Sequence, residues 1–499
     1  MRSFSIYDMY RRNAHLYKDR TAVVAGDLRL SFEALLRDSN AFAATLAGKG
    51  IGKGDRVAVL AKNDHRYFTV FGAVSAIGAI VVPLNWRLSD EELTFILIDS
   101  GSRVLISDGN YAEKAETLTG TAGGIQTIFW NPPDGRSPDM NAMAVDVPLA
   151  ETSLSENDPF CLLYTAAVDG HPRGAVLSHG NIICGNMETA ATMGLTSKDA
   201  YLNMLPIFHM TGMNLSLSVM HVGGKNVVIE KFDENQALAE TEREHVSVWG
   251  SFPPMLTRLT EAVGKDGRDI SSLRHVMGLD GPDNIRAFEE RTGAVFWILY
   301  GQTETSGLVS FSPAMERPGS AGRVGLLTKV RLVDDAGKDV APDEVGEILV
   351  RGPLVFQGFW NQPELTEKIF RDGWHHTGDT GRLDEDGFLW FKGRKPEKEL
   401  IQPGGYNVYP AEVEAVVIEH PDVREVSVIG VPDPKFGEGI KAVCVLSEDS
   451  TLTPEDLMAF VASRIARYKK PRYVDFVDSL PKKADGSIDR EKVKAAHDG

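Results

Sequence analysis

The chain has 499 residues, of which 42% are hydrophobic and 25% are charged, and its net charge is −17 at pH 7. The composition is typical of a soluble globular protein, and the length exceeds what one hydrophobic core organises, so we expect at least two domains. The acidic excess argues against a general binder of nucleic acid or anionic membranes, because such proteins need basic side chains that neutralise phosphates. A locally basic pocket for a small anion is still compatible with this charge.

The cysteines and the apolar segments restrict the cellular context. Cys161, Cys184 and Cys444 lie far apart and form neither a metal-ligand spacing nor a disulfide framework. The first fifteen residues lack the apolar segment of a secretory signal. The most apolar stretch, residues 72–85, is shorter than the roughly 18 residues that span a membrane, and it predicts a buried helix leading into a strand. We therefore expect a cytoplasmic protein without a transmembrane segment; its oligomeric state is undetermined.

Short β-rich segments alternate with amphipathic helices over the first part of the chain. Ser31 is placed to cap a helix in which Leu35, Phe42 and Leu46 recur at helical spacing, and Gly48 is placed to end it. Further strands are predicted at residues 56–61, 104–107, 127–130, 226–230, 246–249 and 294–300. Such an alternation predicts an α/β fold with largely parallel sheets.

From about residue 318 the sequence changes to short strands punctuated by glycine and aspartate. This change predicts a β-rich subdomain over residues 318–394. The following segment, residues 393–405, has the charge, proline and glycine content of a hinge, and the remainder predicts an α+β unit long enough to fold alone. We therefore divide the chain into an N-terminal domain, residues 1–397, and a small C-terminal domain, residues 398–499.

Two short motifs near this boundary carry side chains suited to a nucleotide. Thr377-Gly378-Asp379 presents a short carboxylate beside a glycine, which can accept hydrogen bonds from both ribose hydroxyls or simply form a turn. Arg394 follows an aromatic strand, and its planar guanidinium suits phosphate or ribose oxygens, whereas a surface ion pair is the alternative.

Six segments, taken together and in order, resemble one known family. They are residues 83–93, 205–213, 300–305, 358–366, 371–414 and 468–490. With them the chain resembles, over essentially its whole length, the acyl- and aryl-CoA synthetases of the adenylate-forming (ANL) superfamily. The resemblance implies a large N-terminal domain of two α/β sheets plus a distorted β-barrel, with a small mobile α+β C-terminal domain. It also implies an AMP-forming carboxylate–CoA ligase, which makes an acyl-adenylate from ATP and then an acyl-CoA.

The resemblance implies a role for each of several residues. It assigns nucleotide binding to Tyr300, Thr303, Asp379, Arg394, Thr165 and Arg173. Thr303, Glu304 and Arg394 are implied to act at the reacting groups, and Glu304 is also implied to bind Mg²⁺, although a plain polar loop is the alternative. No side-chain nucleophile is needed, because the carboxylate and the thiol attack in turn. Catalysis would then consist of positioning and charge stabilisation.

The resemblance also implies which residues contact the acyl acid and CoA. His209 lies where the family has an aromatic residue or a histidine beside the acyl group, and a simple wall position is the alternative. Asp280 is assigned to the acyl or adenine pocket, or else it caps a helix that begins near Asn284. Gly404 and Gly405 are implied to line the tunnel for the thiol arm of CoA, because glycine permits close passage. The implied partners are a small carboxylic acid, ATP and CoA, without nucleic acid.

Two segments depart from the family pattern. Residues 166–169 read Ala-Ala-Val-Asp where the family has hydroxyl groups and glycine around the outer phosphates of ATP. Ser487 stands in place of a lysine whose charge assists acyl-adenylate formation, and Lys482 or Lys483 is a distant substitute. One alternative is therefore a divergent enzyme with weak or no adenylation that uses acyl-AMP or another acyl acceptor. The other is a non-catalytic module that binds AMP or acyl-CoA. The sequence admits fatty, alicyclic or aryl acids, and thus also a role in fatty acid metabolism.

Overall fold

The computed structural model describes residues 4–132, 140, 152–165, 172–395, 400–434, 436–448, 450–483 and 487–498. The chain forms two compact units. The first consists of Met1–Trp86, Leu97–Tyr164 and Gly174–Gly393, and the second of Arg87–Ile96, Thr165–Arg173 and Arg394–Gly499. The predicted boundary between residues 397 and 398 lies outside the described residues, so the division into domains at that point stays a prediction.

The first unit contains two sheets whose interior strands are parallel. The six-stranded sheet has the order β6-β5-β3-β4-β7-β8 and consists of β3 (Arg56–Leu60), β4 (Ile80–Leu84), β5 (Ser102–Asp108), β6 (Gln126–Trp130), β7 (Pro159–Thr165) and β8 (Arg173–Ser178). The eight-stranded sheet has the order β14-β13-β12-β11-β9-β10-β1-β2. It consists of β1 (Thr21–Ala25), β2 (Leu28–Ser31), β9 (Ala200–Asn203), β10 (Lys225–Val228), β11 (Val248–Ser251), β12 (His275–Gly278), β13 (Val295–Tyr300) and β14 (Ser310–Pro313).

Helices connect these strands, as the alternation of the sequence predicts. Those of the first 400 residues are α1 (Ile6–Leu16), α2 (Phe32–Gly48), α3 (Arg66–Ile77), α4 (Asp90–Ser100), α5 (Ala112–Ala122), α6 (His179–Met193), α7 (Met210–His221), α8 (Glu234–Glu244), α9 (Met255–Asp266), α10 (Pro282–Thr292) and α11 (Pro363–Ile369). The Ser31 hydroxyl accepts a hydrogen bond from the amide of Ala34 at 3.1 Å, and α2 ends at Gly48, both as predicted. None of the described helices is long and apolar enough to cross a membrane.

A third sheet completes the first unit and follows the predicted change at residue 318. Its order is β15-β16-β18-β17, with β19 paired to β18. The strands are β15 (Lys329–Val333), β16 (Gly346–Arg351), β17 (Phe370–Arg371), β18 (Trp374–Leu383) and β19 (Leu389–Arg394). Their described pairings are antiparallel, in contrast to the interior of the first two sheets.

The second unit contains a three-stranded sheet with helices. Its elements are α12 (Pro410–Val417), β20 (Val423–Asp433), β21 (Gly437–Leu446), α13 (Pro454–Ala462), β22 (Tyr473–Phe476) and α14 (Arg490–His497). The sequence predicts a helix over residues 411–423, but α12 ends at Val417. The amide of Asp422 instead bonds the imidazole of His420, and strand pairing begins at Val423. The helix α14 is not predicted from the sequence.

His179 and His221 are among the buried histidines of the first unit. Burial lowers the pKa of His179 to about 4, and burial together with the nearby Arg12 guanidinium lowers the pKa of His221 to about 4. The unprotonated Nδ1 of His179 accepts a hydrogen bond from the amide of Ile6 at 3.3 Å. Both imidazoles are therefore neutral in the folded protein at pH 7.

Acidification should consequently destabilise the fold. The folded-state pKa lies below the ordinary value of about 6.5, so the unfolded chain binds more protons between about pH 6.5 and 4. Stability should be intact above pH 6.5 and fall by roughly 2 kcal/mol per histidine between pH 7 and 5. Urea unfolding at the two pH values measures the loss, and His221→Gln should reduce its pH dependence, whereas the same change at the exposed His15 should not. An identical slope in His221→Gln would contradict this assignment.

Candidate active site

Three predicted site segments follow parallel strands of the eight-stranded sheet. His209 lies beyond β9, Asp280 follows β12, and Tyr300 ends β13. These strands run parallel to one another through β11. Their carboxyl ends therefore lie at one edge of the sheet, which is the usual ligand-binding edge of such sheets.

Asp379 is held by a hydrogen-bond network that joins this edge to the third sheet. The hydroxyl of Tyr300 and the side-chain amide of Gln302 both donate to Asp379 Oδ2, each at 2.7 Å. The same Gln302 amide donates to the carbonyl of Thr377 at 3.0 Å, and the Asp379 side chain is almost completely buried. The network fixes the carboxylate in one orientation.

The Thr-Gly-Asp motif lies in a strand and not in an open turn. It belongs to β18, where the pairing with β16 shifts register: His376 is opposite Leu349, and Thr380 is opposite Glu347. Residues 377–379 therefore bulge from the sheet, and Gly378 has φ of 68°, a conformation that glycine adopts without strain. The sequence identifies the glycine and the carboxylate correctly, but the bulge depends on pairing with a strand about 30 residues away.

Gln302 is a site residue that is not predicted from the sequence. It lies within the Tyr-Gly-Gln-Thr-Glu-Thr motif, and its backbone amide also bonds Thr305 Oγ1 at 2.9 Å. A signal for it existed, because an amide side chain between two site residues can orient a neighbouring carboxylate. Only the fold shows that its partner is Asp379.

Thr303 and Glu304 form a 3-10 turn directly after this glutamine. The turn is held by the Glu304 carbonyl, which accepts a hydrogen bond from the amide of Phe356 at 2.9 Å. The Glu304 side chain is half-buried and makes no hydrogen bond or ion pair with the other described residues. Among all the residues that the structure describes, no group of three His, Cys, Asp or Glu side chains is arranged to bind a metal ion. A single carboxylate that acts together with phosphate oxygens is compatible with Mg²⁺.

His209 lies at the start of α7 and is exposed to solvent, although protein atoms surround its ring. This desolvation lowers the pKa of His209, so the imidazole is neutral at pH 7. An exposed ring in such surroundings is typical of a cleft wall. Asn63 holds the preceding loop, because its side chain bonds the carbonyls of Asn203 and Leu205 and the amide of Ile207, all within 3.0 Å.

Asp280 does not cap α10, so the alternative of a helix cap is wrong. The cap residue is Gly281, and Asp280 precedes it. Its Oδ1 accepts hydrogen bonds from the Gly281 amide at 2.8 Å and from the Asn284 side chain at 2.7 Å. Its Oδ2 is buried and has no hydrogen-bond partner among the described residues. An acceptor of this kind is suited to a donor group of a ligand.

The remaining predicted residues belong to the second unit. Thr165 ends β7 and Arg173 begins β8. Residues 166–171 between them, which include the altered phosphate segment, lie outside the described residues. Arg394 ends β19. Gly404 has φ of 60°, and a Cβ atom there would lie 3.1 Å from the ring of Phe436. It lies with Gly405 in a 3-10 turn before α12.

Comparison with known families decides what kind of protein has this site. The sequence model of a family described as AMP-binding enzyme matches residues 10–360, and that of the AMP-binding enzyme C-terminal domain matches residues 412–487. The chain belongs to the AMP-binding enzyme family. The predicted resemblance and the predicted fold class are both confirmed.

Individual relatives span this AMP-binding enzyme almost completely. A feruloyl-CoA synthase of an Amycolatopsis species is 35% identical over 489 residues, which are 97% of each chain. A double mutant of o-succinylbenzoate CoA synthetase from Bacillus subtilis, bound with a product analogue, has a TM-score of 0.87 at 29% identity and covers 98% of each chain. An amide bond synthetase from Marinactinospora thermotolerans has a TM-score of 0.89 at 29% identity, covering 98% of this chain and 99% of that one.

These relatives confirm the predicted activity at the level of the reaction. This AMP-binding enzyme is a ligase that joins a carboxylic acid to CoA through an acyl-adenylate. The alternatives of a divergent enzyme without adenylation and of a non-catalytic module are not favoured. The predicted roles of the individual site residues stay predictions.

Proposed function

We propose that the ligase activates an aromatic carboxylic acid, with the nucleotide bound at Asp379. The observation that carries the proposal is the buried network of Asp379, Tyr300 and Gln302, since a fixed acceptor is suited to the two hydroxyls of a ribose. The aromatic substrate is supported by two relatives, which are named for feruloyl-CoA and o-succinylbenzoate. Because the reaction consumes ATP and CoA, we also propose a cytoplasmic location and a division of labour between domains 1–397 and 398–499.

The proposed roles of the other residues follow their chemistry. In the first unit Thr303 binds a phosphate oxygen. In the second unit Arg394, Thr165 and Arg173 have side chains suited to phosphate oxygens. Glu304 holds Mg²⁺, which supplies charge neutralisation at the phosphates. The neutral ring of His209 and the buried Oδ2 of Asp280 contact the acyl acid. In the second unit the Gly404–Gly405 turn accepts the thiol arm of CoA, because its conformation excludes a bulky side chain.

The two half-reactions test this proposal separately. Pyrophosphate release measures adenylation with ferulate or palmitate as the acid, and synthetic feruloyl-AMP with CoA measures thioester formation. We expect ferulate to give the higher kcat/KM and CoA to be acylated. A preference for palmitate would overturn the aromatic substrate. Acylation of an added amine with no acylation of CoA would overturn CoA as the acceptor.

Removal of the Glu304 carboxylate should slow adenylation in particular. Glu304→Gln keeps the size of the side chain and removes its charge, so the Mg²⁺ concentration for half-maximal adenylation should rise by roughly tenfold. Titration of adenylation with Mg²⁺ measures the shift. Glu316→Gln is a control at an exposed glutamate of the same unit. An unchanged Mg²⁺ requirement in Glu304→Gln would remove this residue from the metal site.

A further inference from the structure

A buried ion cluster lies in the second unit, outside the nucleotide site. Lys469 Nζ is 2.6 Å from Glu92 Oε1 and 2.8 Å from Glu412 Oε2. The lysine side chain is 3% exposed and that of Glu412 is 4% exposed. Glu92 and Lys469 are 377 residues apart in the chain, so this contact depends on the fold and not on sequence proximity.

Lys469 carries its charge at neutral pH, because the pKa of its ammonium is raised. Burial opposes the charge of Lys469, but the Tyr468 hydroxyl and the carboxylates of Glu412 and Glu92 outweigh it and raise the pKa of the ammonium. The second carboxylate oxygen of Glu92 accepts hydrogen bonds from the amides of Ser89 at 2.8 Å and Ala466 at 3.2 Å. One ammonium therefore connects two carboxylates, and one of them is itself fixed by backbone amides.

Tyr468, the residue next to Lys469, contacts the segment that carries Glu412 at a second point. The rings of Tyr406 and Tyr468 lie 4.8 Å apart, and the Arg87 guanidinium lies 5.4 Å from the Tyr406 ring. Tyr468 therefore contacts Tyr406, and Lys469 contacts Glu412. Arg87 contacts the Tyr406 ring, and Glu92 contacts Lys469, which in turn pairs with Glu412. The chain between residues 406 and 412 is held at both of its ends.

The held segment begins directly after the glycine turn. Gly404 and Gly405 precede Tyr406, and α12 carries Glu412 in its first turn. We propose that Lys469 is a positioning residue for thioester formation, because its ion pairs with Glu92 and Glu412 keep the Gly404–Gly405 turn in the conformation that accepts the thiol arm. This role rests on the proposed use of the turn by CoA. Lys469 acts through the turn and contacts no reacting atom.

Glu92→Gln is the most informative variant. It removes the charge that ties Lys469 to residues 87–96, while Lys469 keeps Glu412 as a partner, so no charge is left buried alone. Glutamine can also still accept the hydrogen bond from Ser89 at the helix start. When the turn is less often in its competent conformation, the apparent affinity for CoA falls by the same fraction. We expect the KM for CoA to rise by about tenfold to 100-fold, with the rate at saturating CoA within about threefold of the native value.

Measuring adenylation distinguishes a positioning role from a merely structural one, because a general structural defect would slow both half-reactions. Pyrophosphate release should stay within about twofold of the native rate in Glu92→Gln, and Lys469→Arg, which keeps the charge, should raise the KM for CoA less than Lys469→Met. Glu419→Gln removes an exposed ion pair with Arg464 after α12 and serves as the control. Equal losses in both half-reactions, or an unchanged KM for CoA, would overturn the positioning role. If native enzyme fails to convert feruloyl-AMP and CoA, the proposed function fails instead.

Discussion

Asp379→Ala should lower the affinity of the enzyme for AMP by roughly 100-fold to 10,000-fold. Hydrogen bonds to a charged acceptor contribute about 1.5 to 3 kcal/mol each, and the proposed ribose contact has two of them. Calorimetric titration with AMP measures the effect. The native carboxylate also accepts hydrogen bonds from Tyr300 and Gln302. Asp379→Ala removes this shared acceptor, so the free energy of unfolding should fall by about 1 to 3 kcal/mol.

Binding and folding can be separated with two further variants. Asp379→Asn keeps the volume of the side chain and an oxygen acceptor, so it should lose less stability than Asp379→Ala while still losing AMP affinity. Glu385→Gln changes an exposed carboxylate just beyond the same strand and should alter neither quantity. Native AMP affinity in a folded Asp379→Ala protein would remove the ribose assignment.

Ser487→Lys should raise the rate of acyl-AMP formation by about tenfold to 1,000-fold. A lysine adds a cation that stabilises the charge developing on the α-phosphate, and one well-placed charge contributes a few kcal/mol. Ser487 is exposed, and its carbonyl accepts a hydrogen bond from the amide of Lys483 at 2.8 Å, so the added side chain starts from a defined backbone position. Lys482 is a weaker substitute in the native protein, because its ammonium bonds Glu425 at 2.8 Å.

The control for this gain is Ser487→Gln, which has length without charge. It should leave adenylation near the native rate, and both variants should convert feruloyl-AMP and CoA as fast as native enzyme. Pyrophosphate release measures the first half-reaction and acyl-CoA formation the second. If native adenylation already matches thioester formation and Ser487→Lys slows it, the enzyme has another catalytic group and the missing lysine is no handicap.

The sequence predicts the architecture well where local signals are strong. The Ser31 cap, the end of α2 at Gly48 and the alternation of strands and helices all depend on spacing within a few residues, and all are confirmed. The early end of α12 and the bulge at residues 377–379 were not predictable in this way. Both depend on partners that strand pairing supplies. For the same reason the sequence identifies Asp379 and Tyr300 as separate candidates but misses Gln302, the second donor to the Asp379 carboxylate.

Gly278 lies two residues before Asp280, whose contact with the acyl acid is a proposal, and its contacts limit how acid preference can be redesigned at that place. A Cβ atom at this position would lie 1.6 Å from the backbone oxygen of Ser251, so every other amino acid would force the neighbouring strand to move. Leu279, which follows it, is 38% exposed and has no such restriction. A library for altered acid preference should therefore keep residue 278 constant and vary residue 279 first, since variants at the first position would be lost to misfolding before selection could act on them.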